Sequence, residues 1–585
     1  MKLFSLLKLG YTTAYAGQVR TYWQEIDMFT KNSAIICKKG SVVSDQPLAA
    51  SIGIDILKKG GNAADAAVAT MAAVSVIQPF SCGFGGDSQC LFYRSSDKTV
   101  LAVHGSGRTG KLATLNKLKV AGIKDVKSAE YQDHALWISV PGTVAAMFDI
   151  VNYLGSGKLT MEEILAPTIQ LAEEGVPISI KNAVVWHGLQ SILRRSRNSQ
   201  DLLVDGKAPK PGDIFKAPKL AQCLKEISKK GPEVFYRGDM AQHITKAVQE
   251  AGGVLTLDDL EDHLTHPPIS NPTEGIYTDF YGFRVWEMRP NTIGVVALVS
   301  LNILKNYDLK ALGHNSPEYI HLLSETFKLA YHECWDNLCD PKYSSKAIEE
   351  FLTEETAEKI RQRIDPTRAF KSGLCFPSGN TSYVAVVDEF GNGCSLFDSL
   401  CNPFGSGIIP DNCGFALHDR PKCMSLEEKS PNAFGPSKLP LHTLMPSVVT
   451  DNHTGELLAV LGIMGRFSQP QGQIQVLLNM IEFNMDPQVA INQPRFCLGY
   501  PYKHSIYRDS LEHLYLEEGI DSNIIPYLES KGHQCKLCSG LKRLNFGKAH
   551  AIARPQLFNH NSMPKNLKTW WSGADPRSDG GAMGF

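Results

Sequence analysis

The stretch from residue 378 to 388, Ser-Gly-Asn-Thr-Ser-Tyr-Val-Ala-Val-Val-Asp, contains a hydroxyl that could act as a nucleophile. Thr381 follows a short polar segment, and a cut between Asn380 and Thr381 would give it a free α-amine with a pKa of about 8. That amine would be a base beside its own hydroxyl, which is the arrangement of an N-terminal-threonine catalyst. By itself the motif is weak, because the same residues also suit an ordinary loop that enters a hairpin.

A hairpin is predicted to hold this threonine. The second half of the stretch alternates small, aromatic and β-branched side chains, as strands do. Residues 389–393 supply the glycine and asparagine that a tight turn needs, and residues 394–400 form a second strand-like run. Thr381 therefore heads the first strand, directly behind a segment that could be cut.

Other elements are predicted on both sides of this hairpin. An Ala-rich helix is expected at residues 63–76, after a break at residues 60–61, and a helix at residues 159–175 is expected to break or begin at Pro167. Residues 79–87 lack the Gly-Lys-Ser/Thr ending of a phosphate-binding loop, so their glycines are interpreted as turn and close-packing residues. Residues 342–378 are expected to be an exposed link that cleavage would free.

The composition describes an ordinary soluble globular protein. The 585 residues carry a net charge of −1 and are 43% apolar, so no basic excess suggests a nucleic acid or a membrane surface as partner. No stretch approaches the roughly 20 apolar residues of a membrane span. The 14 cysteines are scattered, and Cys535 and Cys538 form a lone CxxC pair, which argues against a zinc site.

Ordered blocks along the chain resemble the γ-glutamyltranspeptidase family. The region 380–407 is similar to the family's nucleophile region, and matching blocks stand at residues 60–67, 140–143, 165–167 and 574–577, in the family's order. The likeness runs from about residue 41 to about residue 580. Residues 440–444 and 461–471 look more like the acylase-like branch than the glutathione-processing enzymes.

The resemblance implies an α+β fold, the four-layer αββα sandwich of N-terminal-nucleophile hydrolases, with Thr381 opening a central strand. It implies that residues 1–380 are the large subunit of a proenzyme and residues 381–585 the small catalytic subunit. The two would form one interleaved body and stay together as a heterodimer after cleavage. It implies no cofactor and no metal.

The resemblance also implies roles for catalytic residues. Thr381 would first attack the carbonyl of Asn380 and later the carbonyl of an amide substrate, forming an acyl-enzyme. Ser399 matches the residue that hydrogen-bonds the nucleophile, with a solvated strand serine as the alternative interpretation. Gly465 and Arg466 stand where the family has a Gly-Gly pair of oxyanion donors. If the second position needs a positive φ, arginine would be strained there and the oxyanion hole could be weakened.

The substrate-binding positions depart from the glutathione-processing members. Ser106 stands in place of the arginine that binds the α-carboxylate, and Arg108, two residues on, is either its substitute or a plain surface charge. The amide, acidic and paired serine groups of those members are replaced by Cys401, Arg420, Cys423, His442 and Thr443. The sequence therefore predicts weak turnover of glutathione. It favours acyl groups that carry a carboxylate without a neighbouring ammonium, held by Arg420 or Arg108.

Two functions follow from these observations. The first is a hydrolase or acyltransferase of small γ-glutamyl or related acyl amides. The alternative is a degenerate, catalytically weak member that acts as a secreted binding or toxin-like protein, since similar proteins occur in animal venoms. Residues 1–16 form a marginal signal peptide with Lys8 interrupting a short apolar run, so secretion is expected, with the cytoplasm as the alternative.

Overall fold

The alternating run after Thr381 forms an interior strand of a sheet. Asn380–Val387, the Thr381 strand, pairs with Gly393–Cys401, the Ser399 strand, on one side and with Ser41–Ser44 on the other. Tyr383, Ala385 and Val387 face a second sheet, whereas Val384 and Val386 face helices. Both faces are buried, which explains why small and β-branched residues fill every position.

Two seven-stranded antiparallel sheets stack on each other, in the part of the chain that this computed structural model describes: residues 32–124, 134–267, 272–376, 379–499, 509–558 and 567–585. The order of the first sheet is Gly581–Gly584, Ser41–Ser44, Asn380–Val387, Gly393–Cys401, Asp87–Arg94, Thr99–Gly105 and Thr273–Glu274. The order of the second is Ile35–Cys37, Trp570–Ala574, Lys548–Ala553, Leu457–Met464, Ser447–Asp451, Phe283–Glu287 and Ile276–Phe280. Residues from both sides of the Asn380-Thr381 bond supply strands to both sheets.

Small sheets lie outside this pair. Three strands form one of them: Phe496–Leu498, His513–Glu517 and Gln534–Cys538. Two-stranded pairs join Cys375–Phe376 to Asp509–Ser510 and Val176–Pro177 to Ile214–Phe215.

Helices cover the outer face of each sheet. Those in the first part of the chain are Pro47–Lys58, Ala63–Ile77, Leu115–Val120, Thr143–Leu154, Met161–Glu174, Ile180–Leu189, Pro218–Lys230, Glu233–Tyr236, Asp239–Glu250 and Leu257–Thr265. Those that follow are Gly294–Leu304, Leu309–Leu312, Pro317–Cys334, Ile348–Phe351, Glu354–Arg361, Gln469–Ile481, Pro487–Asn492, Ile525–Ser530 and Pro555–Phe558. The first group packs mainly on the sheet of Thr381 and the second on the other sheet. The predicted four-layer αββα sandwich is confirmed.

The Ala-rich helix Ala63–Ile77 lies directly over the Thr381 strand. Its side chains are all buried, and Asn62 caps its first turn by accepting from the backbone of Ala64 and Asp65. Asp388, at the turn of the hairpin, accepts a hydrogen bond from the Ala63 backbone at 2.9 Å. Small side chains are needed here because they let the helix approach the strand closely.

One local expectation needs correction. Pro167 does not break a helix, because Met161–Glu174 continues through it, and Gly175 ends that helix with a φ of 99°. The link expected at residues 342–378 is mostly exposed over residues 342–374 and includes the helices Ile348–Phe351 and Glu354–Arg361. Its residues 377–378 lie outside the described part. None of the helices within the described ranges is long and apolar enough to cross a membrane.

Candidate active site

The hydroxyl of Ser399 lies between Thr381 and the carbonyl that precedes it. Thr381 Oγ1 donates to Ser399 Oγ at 3.3 Å, and Ser399 Oγ donates to the Asn380 carbonyl oxygen at 2.8 Å. Ser399 Oγ also accepts from the Cys401 backbone N–H at 2.9 Å. Ser399 is fully buried, so it is not a solvated strand serine. Its hydrogen bond polarises the carbonyl that Thr381 would attack.

A local shift in strand register aims Ser399 at this carbonyl. Asn380 pairs with Cys401 and Ser382 pairs with Asp398, so both Ser399 and Leu400 lie opposite the single residue Thr381. Such an extra residue bends the strand and redirects its side chains. The irregular strand pairing therefore lies at Thr381, the candidate nucleophile.

The glycine-rich loop at residues 79–87 holds the other side of Asn380. Asn380 Nδ2 donates to Ser81 Oγ at 2.9 Å, and the Leu400 backbone N–H donates to the Ser81 carbonyl at 3.1 Å. A Cβ at Gly86 would lie 2.7 Å from the carbonyl oxygen of Ser399, so only glycine fits there. Gly85 and Gly86 serve close packing, whereas Gly83, with a φ of 157°, has open space around it.

Asp398 ties this loop to the Ser399 strand, and sequence reasoning missed it. Its carboxylate accepts from the Gly83 backbone N–H at 2.8 Å and from the Ser88 and Thr143 hydroxyls at 2.6 Å each. Burial raises the pKa of Asp398 to about 7, and these three hydrogen bonds partly offset the effect.

Gly465 and Arg466 follow the strand Leu457–Met464 in the second sheet. Gly465 has a φ of 140° and Arg466 a φ of 57°, so the second position does adopt the left-handed conformation that arginine disfavours. That conformation costs an L-residue about 1–2 kcal/mol. Arginine nevertheless keeps the backbone N–H donor that glycine would supply at this position.

The Arg466 side chain turns back toward the segment before Thr381. It is 2% exposed, and a methyl group added at Gly379 would collide with its Nε and Cδ. Its Nη2 donates to the sulfur of Cys401 and, at 3.7 Å, to that of Cys423. Its Nε has no hydrogen-bond partner among the described residues.

Cys401 and Cys423 form a buried thiol pair whose sulfurs are 4.0 Å apart. The hydrogen bond from Cys401 lowers the pKa of the Cys423 thiol, and the positive charges of Arg466 and Arg420 lower it further, against the effect of burial. Both sulfurs therefore accept from the guanidinium of Arg466.

Asp87 is a second buried carboxylate with several polar partners, and the sequence did not single it out. It pairs across the sheet with Ser399, and its Oδ2 lies 3.4 Å from Arg420 Nε, 3.3 Å from His442 Nε2 and 3.4 Å from His418 Nδ1. Burial would raise the pKa of Asp87, but these three neighbours together lower it. Burial and then the charge of Arg420 lower the pKa of His442 to about 4.

Arg420 and Thr443 belong to the same group of contacts around Asp87. Arg420 Nη1 donates to Thr443 Oγ1 at 3.3 Å, so the guanidinium contacts both Asp87 and the segment of residues 438–443. The nearby Asp419 is paired with Lys422 at 2.7 Å. Each of these two carboxylates thus has its own cation.

Arg108 is not brought into the cluster. Its Nη1 donates to the carbonyl of His266 at 2.8 Å, and within the described ranges it makes no hydrogen bond or ion pair with the residues above. Ser106 instead accepts from Gln89 at 2.6 Å and from Asn291 at 3.3 Å. Nine of the predicted positions are joined by the contacts described above: Asn380, Thr381, Ser399, Cys401, Arg420, Cys423, His442, Thr443 and Arg466.

One group of three residues in the described part of the chain could hold a metal ion: His321, Glu325 and His533. His321 Nδ1 and His533 Nε2 already share a hydrogen bond of 2.9 Å, and the Lys328 ammonium lies 3.2 Å from Glu325. That positive charge opposes a cation. Residues 535 and 538 alternate along the strand Gln534–Cys538 and so point to opposite faces.

Comparison with known proteins gives a consistent result. The family model described as Gamma-glutamyltranspeptidase matches residues 49–585. A glutathione hydrolase-like proenzyme of Bacillus subtilis, YwrD, is 32% identical, with 95% of this chain and 100% of that protein covered. An oxamate amidohydrolase proenzyme of Klebsiella pneumoniae is 30% identical, with the same coverage. The crystal structure of a cephalosporin acylase from Bacillus halodurans superposes with a TM-score of 0.84 at 29% identity, covering 96% of this chain and 98% of that one.

Proposed function

The chain belongs to the gamma-glutamyltranspeptidase family and is a hydrolase or acyltransferase, and we propose that it matures by cutting itself between Asn380 and Thr381. The observation that carries the proposal is the Ser399 hydroxyl, which hydrogen-bonds both Thr381 Oγ1 and the Asn380 carbonyl oxygen. The attacking oxygen and the attacked carbonyl are thus held by the same group.

Self-cleavage proceeds in two steps. Thr381 Oγ1 bonds to the carbonyl carbon of Asn380, the C–N bond breaks, and the nitrogen takes up a proton, which leaves an ester on Thr381. Water then hydrolyses the ester, giving a carboxylate on Asn380 and a free α-amine on Thr381.

The mature enzyme uses the same hydroxyl on a small amide. The α-amine of Thr381 removes the hydroxyl proton and Oγ1 attacks the substrate carbonyl. The α-amine then gives this proton to the nitrogen of the substrate, whose C–N bond breaks, and the free amine departs and leaves an acyl-enzyme on Oγ1. Backbone N–H groups of Gly465 and Arg466 would stabilise the oxyanion, each contributing about 3 kcal/mol. Water or a second amine then accepts the acyl group.

The first experiment is intact-mass analysis of the purified protein. Shared in proportion to 380 and 205 residues, the 64.3 kDa chain should give fragments of about 42 and 22.5 kDa that co-purify. Thr381→Ala should remain full length, whereas Thr381→Ser, which keeps a hydroxyl, should still be cut. Cleavage of Thr381→Ala at the same bond would refute the nucleophile assignment.

We propose further that the acyl group carries a carboxylate but no adjacent ammonium. Asp87 and Asp419 are each paired with a cation, so neither offers a free carboxylate to an ammonium. The oxamate of the Klebsiella pneumoniae relative is also an amide with a carboxylate and no ammonium. Kinetics on glutaryl p-nitroanilide beside γ-glutamyl p-nitroanilide test this, and a clear preference for the γ-glutamyl compound would overturn it.

A catalytically weak, secreted binding protein is the second candidate, and the strained backbone of Arg466 is the observation that favours it. A panel of acyl anilides separates the two candidates, since a binding protein would show no turnover that depends on Thr381. Secretion itself stays a proposal, and residues 1–16 lie outside the described part.

A further inference from the structure

We propose that the Arg466 guanidinium binds the distal carboxylate of the substrate's acyl group, and that self-cleavage uncovers it. In this proposal the Cys401 and Cys423 sulfurs, which accept hydrogen bonds from Nη2, position the guanidinium. The inference rests on the proposed function, because it names the part of that site that recognises the substrate.

The uncut chain itself indicates where an acyl group lies. The ester formed during self-cleavage carries Asn380 as its acyl group on Thr381 Oγ1, and a substrate's acyl group is later carried on the same oxygen. The residues around Asn380 and Gly379 therefore outline the acyl pocket before it is emptied. Gly379 packs directly against Nε and Cδ of Arg466.

Counting covalent bonds sets the length of the acyl group. Gly379 Cα is four bonds from the carbonyl carbon of Asn380. In a glutaryl group the distal carboxylate carbon is also four bonds from the acyl carbon. A glutaryl carboxylate would therefore reach the place that Gly379 Cα occupies beside Arg466, whereas succinyl falls one bond short and adipyl extends one bond beyond.

The charges at this place favour an anion. Arg420 is paired with Asp87 and Lys422 with Asp419, whereas Arg466 makes no ion pair with a carboxylate among the described residues. Its buried Nε is also without a partner there. An unpartnered charge-assisted donor beside an emptied pocket suits a carboxylate and repels an ammonium.

The test compares glutaryl p-nitroanilide with pentanoyl p-nitroanilide, which has the same chain length and no carboxylate. We expect kcat/KM to favour the glutaryl compound, and Arg466→Gly to lower that preference by about 10- to 100-fold. Arg466→Lys should retain part of it as a single point charge. Arg237→Gly, which removes an exposed arginine paired with Glu233 and Glu261, should leave the preference unchanged.

Two further measurements keep the test decisive. Free glutarate should inhibit the wild-type enzyme competitively and better than succinate or adipate. This measurement uses only the wild-type protein, so it does not depend on the folding of a variant. Cys423→Ser should raise KM for the glutaryl compound more than it lowers kcat, because a positioning group acts on binding.

The failure of this inference differs from the failure of the proposed function. If the wild-type protein is uncut and forms no acyl-enzyme on Thr381 with either anilide, the proposed function is wrong. If both anilides are hydrolysed but Arg466→Gly leaves their ratio unchanged, or glutarate inhibits no better than its neighbours, Arg466 is not the carboxylate receptor.

Discussion

Replacing Ser399 by alanine should slow self-cleavage by about 100- to 1,000-fold. The lost donor lies 2.8 Å from the carbonyl oxygen that becomes the oxyanion. Removing one donor of this kind costs about 2.7–4 kcal/mol of transition-state stabilisation, which corresponds to that range of rates. The change also leaves the Thr381 hydroxyl and the Cys401 amide without an acceptor, at about 1–3 kcal/mol of folding free energy each.

The two effects can be separated. Cleavage rate is followed by intact mass in freshly purified precursor, with Ser399→Thr as the variant that keeps the hydroxyl. Folding free energy is measured by urea unfolding on the uncut Thr381→Ala background, with and without Ser399→Ala. In this background only the Cys401 amide loses its acceptor, so the expected difference is about 1–3 kcal/mol. A folded Ser399→Ala protein that cuts itself within a few-fold of the wild-type rate would refute the role assigned to Ser399.

Two more predictions concern the groups around Ser399. Burial raises the folded pKa of Asp398 from 3.8 to about 7, so its contribution to stability falls as the pH rises from about 4 to 7. Urea unfolding should therefore show a steeper fall of stability over this pH range in wild type than in Asp398→Asn, because other acids with raised pKa values, such as Asp149, remain in both proteins. Equal slopes in the two proteins would count against it. Gly86→Ala should slow self-cleavage more than about tenfold, as followed by intact mass, because its Cβ would meet the Ser399 carbonyl oxygen at 2.7 Å. Gly188→Ala, with open space around it, should cut at the wild-type rate in the same assay. Normal cleavage of Gly86→Ala would show that the Ser399 strand can shift without loss.

The parts of the fold that depend on local patterns could be predicted. The hairpin at Thr381 and the helix Ala63–Ile77 follow from alternation and from a run of small residues. Resemblance to a family added the four layers, which the structure and the comparisons confirm. The expected break at Pro167 does not occur, because packing of the helix Met161–Glu174 outweighs the backbone hydrogen bond that proline removes.

The electrostatic centre of the site could not be predicted in the same way. Asp87 and Asp398 look like ordinary polar residues in sequence. Asp87 reaches the site because its strand pairs with the Ser399 strand, 312 residues further along the chain. Asp398 reaches it because it accepts from Gly83 in the glycine-rich loop. From the sequence, Arg108 is either a substitute for the arginine missing at Ser106 or a surface charge, and the structure shows that its Nη1 donates to the carbonyl of His266. The left-handed backbone of Arg466 was considered as an alternative, yet the direction of its side chain required the structure.

The strands beside Thr381 come from distant parts of the chain. Ser41–Ser44 pairs with the Thr381 strand on one edge and with Gly581–Gly584 on the other, and the Phe585 carbonyl accepts from the backbone of Lys39. During synthesis on the ribosome, residues 581–584 emerge about 200 residues after Thr381, at roughly 5–20 residues per second. The sheet that holds the nucleophile therefore stays incomplete for at least about ten seconds, so the order of translation delays the proposed cut until both future subunits have been made.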